Sequence, residues 1–347
     1  MNRNSIYLLL VFILLPLAVF GTGQPDSLKQ ERKNRVVLND GSVYTGQLRL
    51  RKPNGTGRVE YVNGDVYEGA FEKGFRKGVG ICHYASGDLY LGFWNDNERD
   101  GEGELQYASG DVYKGNWHQG ERDGKGVYLW KDGSYYSGEW EKDRRSGTGL
   151  MVWSDSSQYR GSWNDGMRDG QGEYSSRDYC YSGSWKNDSE NGNGSCTFSN
   201  GDSYKGQFRN GSITGQGEFI FVNGDCYKGS LHNGNADGKG VYTWADGSEY
   251  DGEWKESRRE GTGRMVWANG DSYYGEWQNN VPWGDGSMSL ADGTKFKGSF
   301  VNGVVDGNGI VEESDGTRLE GTFKEGFRTG TFIVKDKSGK KIRTIIY

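Results

Sequence analysis

After residue 40, apolar and polar positions alternate with a period of two along almost the whole chain, broken at regular intervals by glycine. One short run reads Tyr-x-Gly-x-Trp or Tyr-x-Gly-x-Phe. A second reads Gly-x-Gly-x-x-x-aromatic, as in residues 101–107 (GEGELQY). Alternation of this kind, rich in β-branched and aromatic residues, predicts strands, and dipeptides such as Asn63-Gly64, Ser86-Gly87 and Asp132-Gly133 predict the turns between them. Each pair of runs then makes one β-hairpin, its strands joined by a loop of about six polar residues such as 95–100 (NDNERD). The pattern returns every 23 residues, from Tyr44 through Tyr67, Tyr90, Tyr113, Tyr136, Tyr159, Tyr181, Tyr204, Tyr227, Tyr250 and Tyr273 to weaker copies at Phe296 and Leu319. A fixed period of this length defines a repeat architecture. The expected fold is all-β: an elongated, single-layer antiparallel sheet of thirteen stacked hairpins.

Strand parity constrains the turns between units. Tyr113 and Trp117 lie four apart and share a face of their strand. A two-residue connection would put the following aromatic, Trp130, on the other side. A three-residue turn ending in a left-handed glycine keeps every ring on one face. The strand-one Gly and the second Gly of Gly-x-Gly then oppose each other beneath the rings, and the first Gly is free to take a positive φ. These three positions hold 38 of the 59 glycines, so the glycine content reflects repeated geometry and not disorder. Unit six breaks the pattern at Ser156 and across Ser176, Arg177 and Asp178, and the last unit has Leu319 for Tyr and Phe332 for Gly.

The spacing Tyr-x-Gly-x-Trp, loop, Gly-x-Gly at 23 residues resembles the MORN (membrane occupation and recognition nexus) repeat over residues 41–330. The resemblance implies a scaffold that binds proteins, in some members one that tethers membranes, as in junctophilins. It also implies dimerisation through terminal repeats. MORN units elsewhere accompany phosphoinositide kinase or lysine methyltransferase domains, and residues 331–347 are too few for one. A second level of repetition relates the segment beginning at Gly120 to that beginning at Gly234, an offset of 114 residues, which is a duplicated block of five units.

Composition sharpens this picture. Hydrophobic residues make up only 33% of the chain while aromatics reach 14%, so rings rather than aliphatic side chains must form the core. With 48 acidic and 42 basic residues the chain carries no basic footprint for nucleic acid. Residues 1–23 combine Arg3, an apolar run over 6–20 and small residues at Gly21 and Gly23, which predicts a secretory signal peptide and a secreted or periplasmic protein, with an uncleaved membrane anchor as the weaker alternative because the run is short for a span and contains Pro16. A polar linker follows over 24–40, the repeat array over 41–330, and a capping hairpin over 331–347 that turns at Ser338-Gly339.

No catalytic chemistry emerges. His118 and His232 lie five units apart, and His83 is on another strand, so neither a zinc site nor a histidine-based triad is available. The Gly-x-Gly pairs lack the following helix of a phosphate cradle. No cofactor or metal is expected. Cys180 and Cys196, in one hairpin, face opposite sides of the sheet, which disfavours a disulfide. Two surfaces stand out as candidate binding sites. One is the aromatic ladder of Trp94, Trp117, Trp140, Trp163, Trp185, Trp254 and Trp277, read as self-packing or as a contact surface for protein or carbohydrate. The other is the basic loop pair Lys142, Arg144, Arg145 and Lys255, Arg258, Arg259, read as solvated charge or as anchors for an anionic lipid surface. The expected function is a non-catalytic extracytoplasmic scaffold whose protein partner the sequence does not name. A homodimer through the C-terminal repeats is expected as well.

Overall fold

The computed structural model describes residues 34–347. The signal peptide expected over 1–23 and the start of the linker lie outside the described residues. The described residues form 28 strands, numbered in chain order from β1 (Asn34–Val37) to β28 (Lys341–Ile346), and no helix. Each strand pairs antiparallel with its chain neighbours, so among the described residues β1 and β28 are the two outer strands of one open sheet. The segment expected as a linker thus contributes a strand: residues 34–37 pair with Val43–Gly46 of the first unit.

The connections between units follow the parity argument. Tyr84 N–H donates to Asp88 O (2.9 Å), Gly87 N–H donates to Tyr84 O (2.9 Å), and Gly87 has φ +92°. That is a three-residue turn closed by a left-handed glycine. At Ser156 the chain takes the same conformation without glycine (φ +72°). Unit six lost a residue from this turn. Ser176 pairs with Tyr179 around Arg177-Asp178, and Tyr179 supplies the ring missing from the second strand, 5.2 Å from Tyr174.

The loop inside each unit differs from expectation. Residues 95–100 are not a six-residue loop: Asn95 pairs with Glu98, and only Asp96 and Asn97 turn, both left-handed (φ +47° and +74°). This is the mirror-image two-residue turn whose twist matches that of paired strands. The surplus residues enter the second strand as a bulge. Gly92 pairs with Gly103 and Trp94 with Arg99, so one residue of the first strand faces three of the second, with Gly101 at φ +103°. All thirteen equivalent glycines are left-handed, from Gly55 to Gly330.

The core is a row of rings lying across a row of glycines. Gly46, Gly57, Gly69, Gly80, Gly92 and Gly103 succeed one another as direct partners, and the row continues to Gly321. A Cβ on Gly103 would overlap the ring of Tyr90. Tyr90 Oη donates to Phe93 O (3.0 Å), the carbonyl beside the bulge, and each tyrosine of the row repeats that bond three residues on. Each ring meets the next edge-to-face: Tyr67 to Trp94 at 5.3 Å, Tyr90 to Trp94 at 5.1 Å, Tyr90 to Trp117 at 5.6 Å. Such pairs each add about 1 kcal/mol beyond the area they bury.

The C-terminal end is closed by a substitution. Leu319 is too short to cover Gly321, and the ring of Phe332, reaching across from the next strand, fills the space and is fully buried. Phe332 then meets Phe323 and Tyr347 at 5.2 and 5.3 Å. The chain turns into β28 through Ser338 and Gly339, where Asp336 N–H donates to Lys340 O and Gly339 N–H to Asp336 O.

Candidate binding surface

The seven tryptophans of the ladder are buried, none more than 9% exposed. Each indole N–H donates to a glycine carbonyl of the preceding unit, from Trp94 to Gly80 (3.4 Å) to Trp254 to Gly240 (2.9 Å). Neighbouring tyrosines meet each indole edge-to-face, so little of it is open to a glycan or protein. The reason is the glycine row, which lets rings sink onto the backbone.

Their remaining face is covered by arginine. Arg99 holds its guanidinium 3.9 Å from the ring centre of Trp117, and Arg76, Arg122, Arg145, Arg168 and Arg259 stack in the same way on Trp94, Trp140, Trp163, Trp185 and Trp277, at 4.1 to 4.5 Å. The same guanidiniums donate through Nη2 to a turn carbonyl of the next unit, Arg99 to Gly120 and Arg76 to Asn97, both at 2.6 Å. Cation–π contact and a charge-assisted hydrogen bond thus act together between successive hairpins. Sequence reasoning passed over this ladder, although a signal was present: each of these arginines precedes a tryptophan by 17 or 18 residues. Where the next ring is Phe or Leu, the position holds Pro53, Glu190, Ile213, Pro282 or Val305. Ala236, before Trp254, is the exception, and Trp254 is the most exposed of the seven.

The basic loops therefore resolve into different roles. Arg145 and Arg259 belong to the stacked ladder and are half-buried. Burial lowers the pKa of both guanidiniums from the usual arginine value. Arg144 pairs with Asp165, and Arg258 with Glu256 at 3.0 Å. Lys142 and Lys255 are exposed, and neither forms an ion pair among the described residues. Of the six basic residues, only the side chains of these two lysines stand open to solvent without an ion-pair or stacking partner among the described residues.

Beside the buried row runs a second, half-buried row on the same face: Tyr61, Tyr84, Tyr107, Trp130 and Trp153 from successive units. Between the two rows lies a groove lined by Arg76, Tyr84, Asp88, Arg99, Tyr107 and Arg122. Burial raises the phenol of Tyr84 to about 12 and shifts those of Tyr61 and Tyr107 upward, which keeps the rings neutral donors at ordinary pH. The opposite face of the sheet carries a smaller apolar patch where Val79 pairs with Phe93 and Ile81 with Leu91.

Among the described residues no group of His, Cys, Asp and Glu is arranged to hold a metal, and no helix is long and apolar enough to cross a membrane. His118 Nδ1 lies 3.2 Å from Asp100 on an exposed turn. The four cysteines are free thiols. Cys196 pairs in register with Tyr181 and Cys180 with Thr197, so the two point to opposite faces.

Fold and surface define a single-sheet array of stacked hairpins, held by ring-on-glycine packing and arginine stacking. The MORN repeat profile matches ten consecutive units, residues 67–89 through 273–295, and the chain belongs to the MORN repeat family. No curated protein matches the chain. Among solved structures it is similar to a point mutant of the TCP10 domain of Danio rerio CPAP, at 12% identity over 90% of this chain and 99% of that one, with a TM-score of 0.20. It is also similar to the TCP domain of Drosophila melanogaster SAS-4, at 14% identity over 60% and 96% with a TM-score of 0.26. A streptogramin B lyase aligns at 14% identity over 83% and 89%, with a TM-score of 0.14.

Proposed function

We propose that this MORN-repeat chain is a non-catalytic protein-binding scaffold that works outside the cytoplasm, and that it binds through the groove on its aromatic face. The observation that carries the reading is the division of labour on that face. One row of rings is consumed by self-packing, while a parallel row from Tyr61 to Trp153 stays only half-buried beside guanidiniums fixed by stacking. Fixed aromatic and arginine side chains are the residue types enriched in interface hot spots. The leader-like residues 1–23 support the extracytoplasmic assignment.

The test is cross-linking of the secreted protein in its native envelope, comparing wild type with Tyr84→Ala/Tyr107→Ala. Loss of a discrete cross-linked protein in the variant is the expected result. Two rival readings are separated by parallel assays. Salt-sensitive sedimentation with anionic vesicles, lost in Lys142→Ala/Lys255→Ala, would favour a lipid surface. A change in tryptophan fluorescence with cell-wall glycans would favour carbohydrate recognition. Self-association is proposed through β28, whose outer edge is unpaired among the described residues and whose Ile346 is 80% exposed. Light scattering of the full chain against one with Ile346→Lys tests it.

A further inference from the structure

We infer that the groove takes an acidic, proline-rich segment in the polyproline II conformation, lying along the array and crossing its strands, with one turn of the ligand to each hairpin unit. The inference rests on the protein-binding reading above and names the class of partner.

Three features lead to it. The first is period. Tyr61, Tyr84, Tyr107 and Trp130 recur once per unit, and a unit spans two strands, or about 9.6 Å along the sheet. Polyproline II advances about 3.1 Å per residue with three residues per turn, or about 9.3 Å. An extended β-strand laid in the same direction would repeat at about 6.8 Å and fall out of step within one unit. The second is chemistry: half-buried rings beside a groove are how proline-rich helices are recognised, because such a ligand is already ordered before it binds.

The third is charge. Three arginines line the groove, Arg76, Arg99 and Arg122, together with Asp88, Glu98 and Asp143, and of the three only Arg122 meets a carboxylate, Asp143 at 2.7 Å. Arg76 and Arg99, in adjacent units, pair with no carboxylate among the described residues; each donates through Nη2 to a turn carbonyl instead. On the other side Asp88 already accepts the backbone N–H of Ala108 (2.8 Å). A carboxylate at every third ligand residue would face Arg76 and then Arg99, while the intervening prolines meet Tyr84 and Tyr107.

The test uses the full secreted chain and synthetic peptides of one to five Glu-Pro-Pro triplets, with Lys-Pro-Pro and Glu-Gly-Ser peptides of equal length as controls. Anisotropy should show binding of the Glu-Pro-Pro series only. The dissociation constant should fall several-fold with each added triplet to about three triplets, and rise with salt. Arg99→Gln should weaken binding at least tenfold. Because that change also touches packing, Tyr107→Ser, whose ring is half-buried, is measured beside it, and both variants are checked by thermal melting. Equal binding of Glu-Gly-Ser peptides would overturn the inference, since charge alone would then suffice. No binding of any peptide, with the Tyr84/Tyr107-dependent cross-link intact, overturns the inference and leaves the scaffold reading. Binding of glycans in place of peptides overturns both.

Discussion

The guanidinium of Arg99 lies 3.9 Å from the ring centre of Trp117, while its Nη2 donates to the carbonyl of Gly120 at 2.6 Å. One side chain thus fixes both the buried ring and the turn of the following hairpin. In a one-dimensional array, stability is a sum of unit and nearest-neighbour terms. This contact is one of those neighbour terms in side-chain form, and it recurs wherever an arginine precedes a tryptophan.

Removing it should cost accordingly. Arg99→Ala is expected to destabilise by about 2 kcal/mol, combining a partly desolvated cation–π contact and a charge-assisted hydrogen bond. Arg99→Lys should recover less than half, because an ammonium cannot lie flat on the indole and reach Gly120 together. Chemical denaturation of the wild type and both variants measures this.

The vacant position offers the reverse experiment. Ala236 precedes Trp254, whose indole is left the most exposed of the row. Ala236→Arg should raise stability by about 1 kcal/mol and lower quenching of Trp254 by iodide. An unchanged melting curve and unchanged quenching would sink the account of the ladder.

At the C-terminal end, Leu319 and Phe332 should be coupled. Phe332→Gly alone opens a cavity over Gly321 and should cost about 3–4 kcal/mol. Leu319→Tyr alone should also destabilise, because its ring competes with Phe332 for one space. The double substitution restores the pattern of the other units and should recover most of the loss, a double-mutant coupling of about 2 kcal/mol or more.

Alkaline pH should unfold the array. Burial raises the phenols of Tyr159, Tyr181, Tyr227 and Tyr273 to about 12, and shifts those of the other row tyrosines upward. An unfolded tyrosine ionises near pH 10. The folded state therefore holds more protons than the unfolded between about pH 10 and 12. The stability these phenols contribute is intact below pH 10 and falls as pH rises through that window. Phenolate absorbance should rise together with loss of sheet signal in circular dichroism; ionisation without unfolding would contradict it.

Thiol reactivity reads the two faces. Cys180 is exposed, whereas Cys82 and Cys196 are buried on the ring side, where burial raises the Cys196 thiol to about 11 and that of Cys82 upward. A maleimide at neutral pH should label Cys180 first, and Cys82 and Cys196 only after denaturation.

Much of this was legible in the sequence. The 23-residue period dictated the hairpins, and parity dictated the left-handed Gly87 and its equivalents, because only a three-residue turn keeps all rings on one side. The opposition of Gly92 and Gly103 followed from the same count. Residues 95–100 did not follow, because polar residues leading into a bulge look like a loop although Asn95, Glu98 and Arg99 pair in the ladder. The burial of Trp94 and its relatives was equally out of reach. Alternation assigns a ring to a face, whereas only packing decides whether that face is covered. Here it is covered by arginines from the preceding unit, 17 or 18 residues away in the chain but in van der Waals contact across the sheet. Local pattern determined where each side chain points; contacts between successive hairpins decided which rings are spent on the fold and which are left to bind.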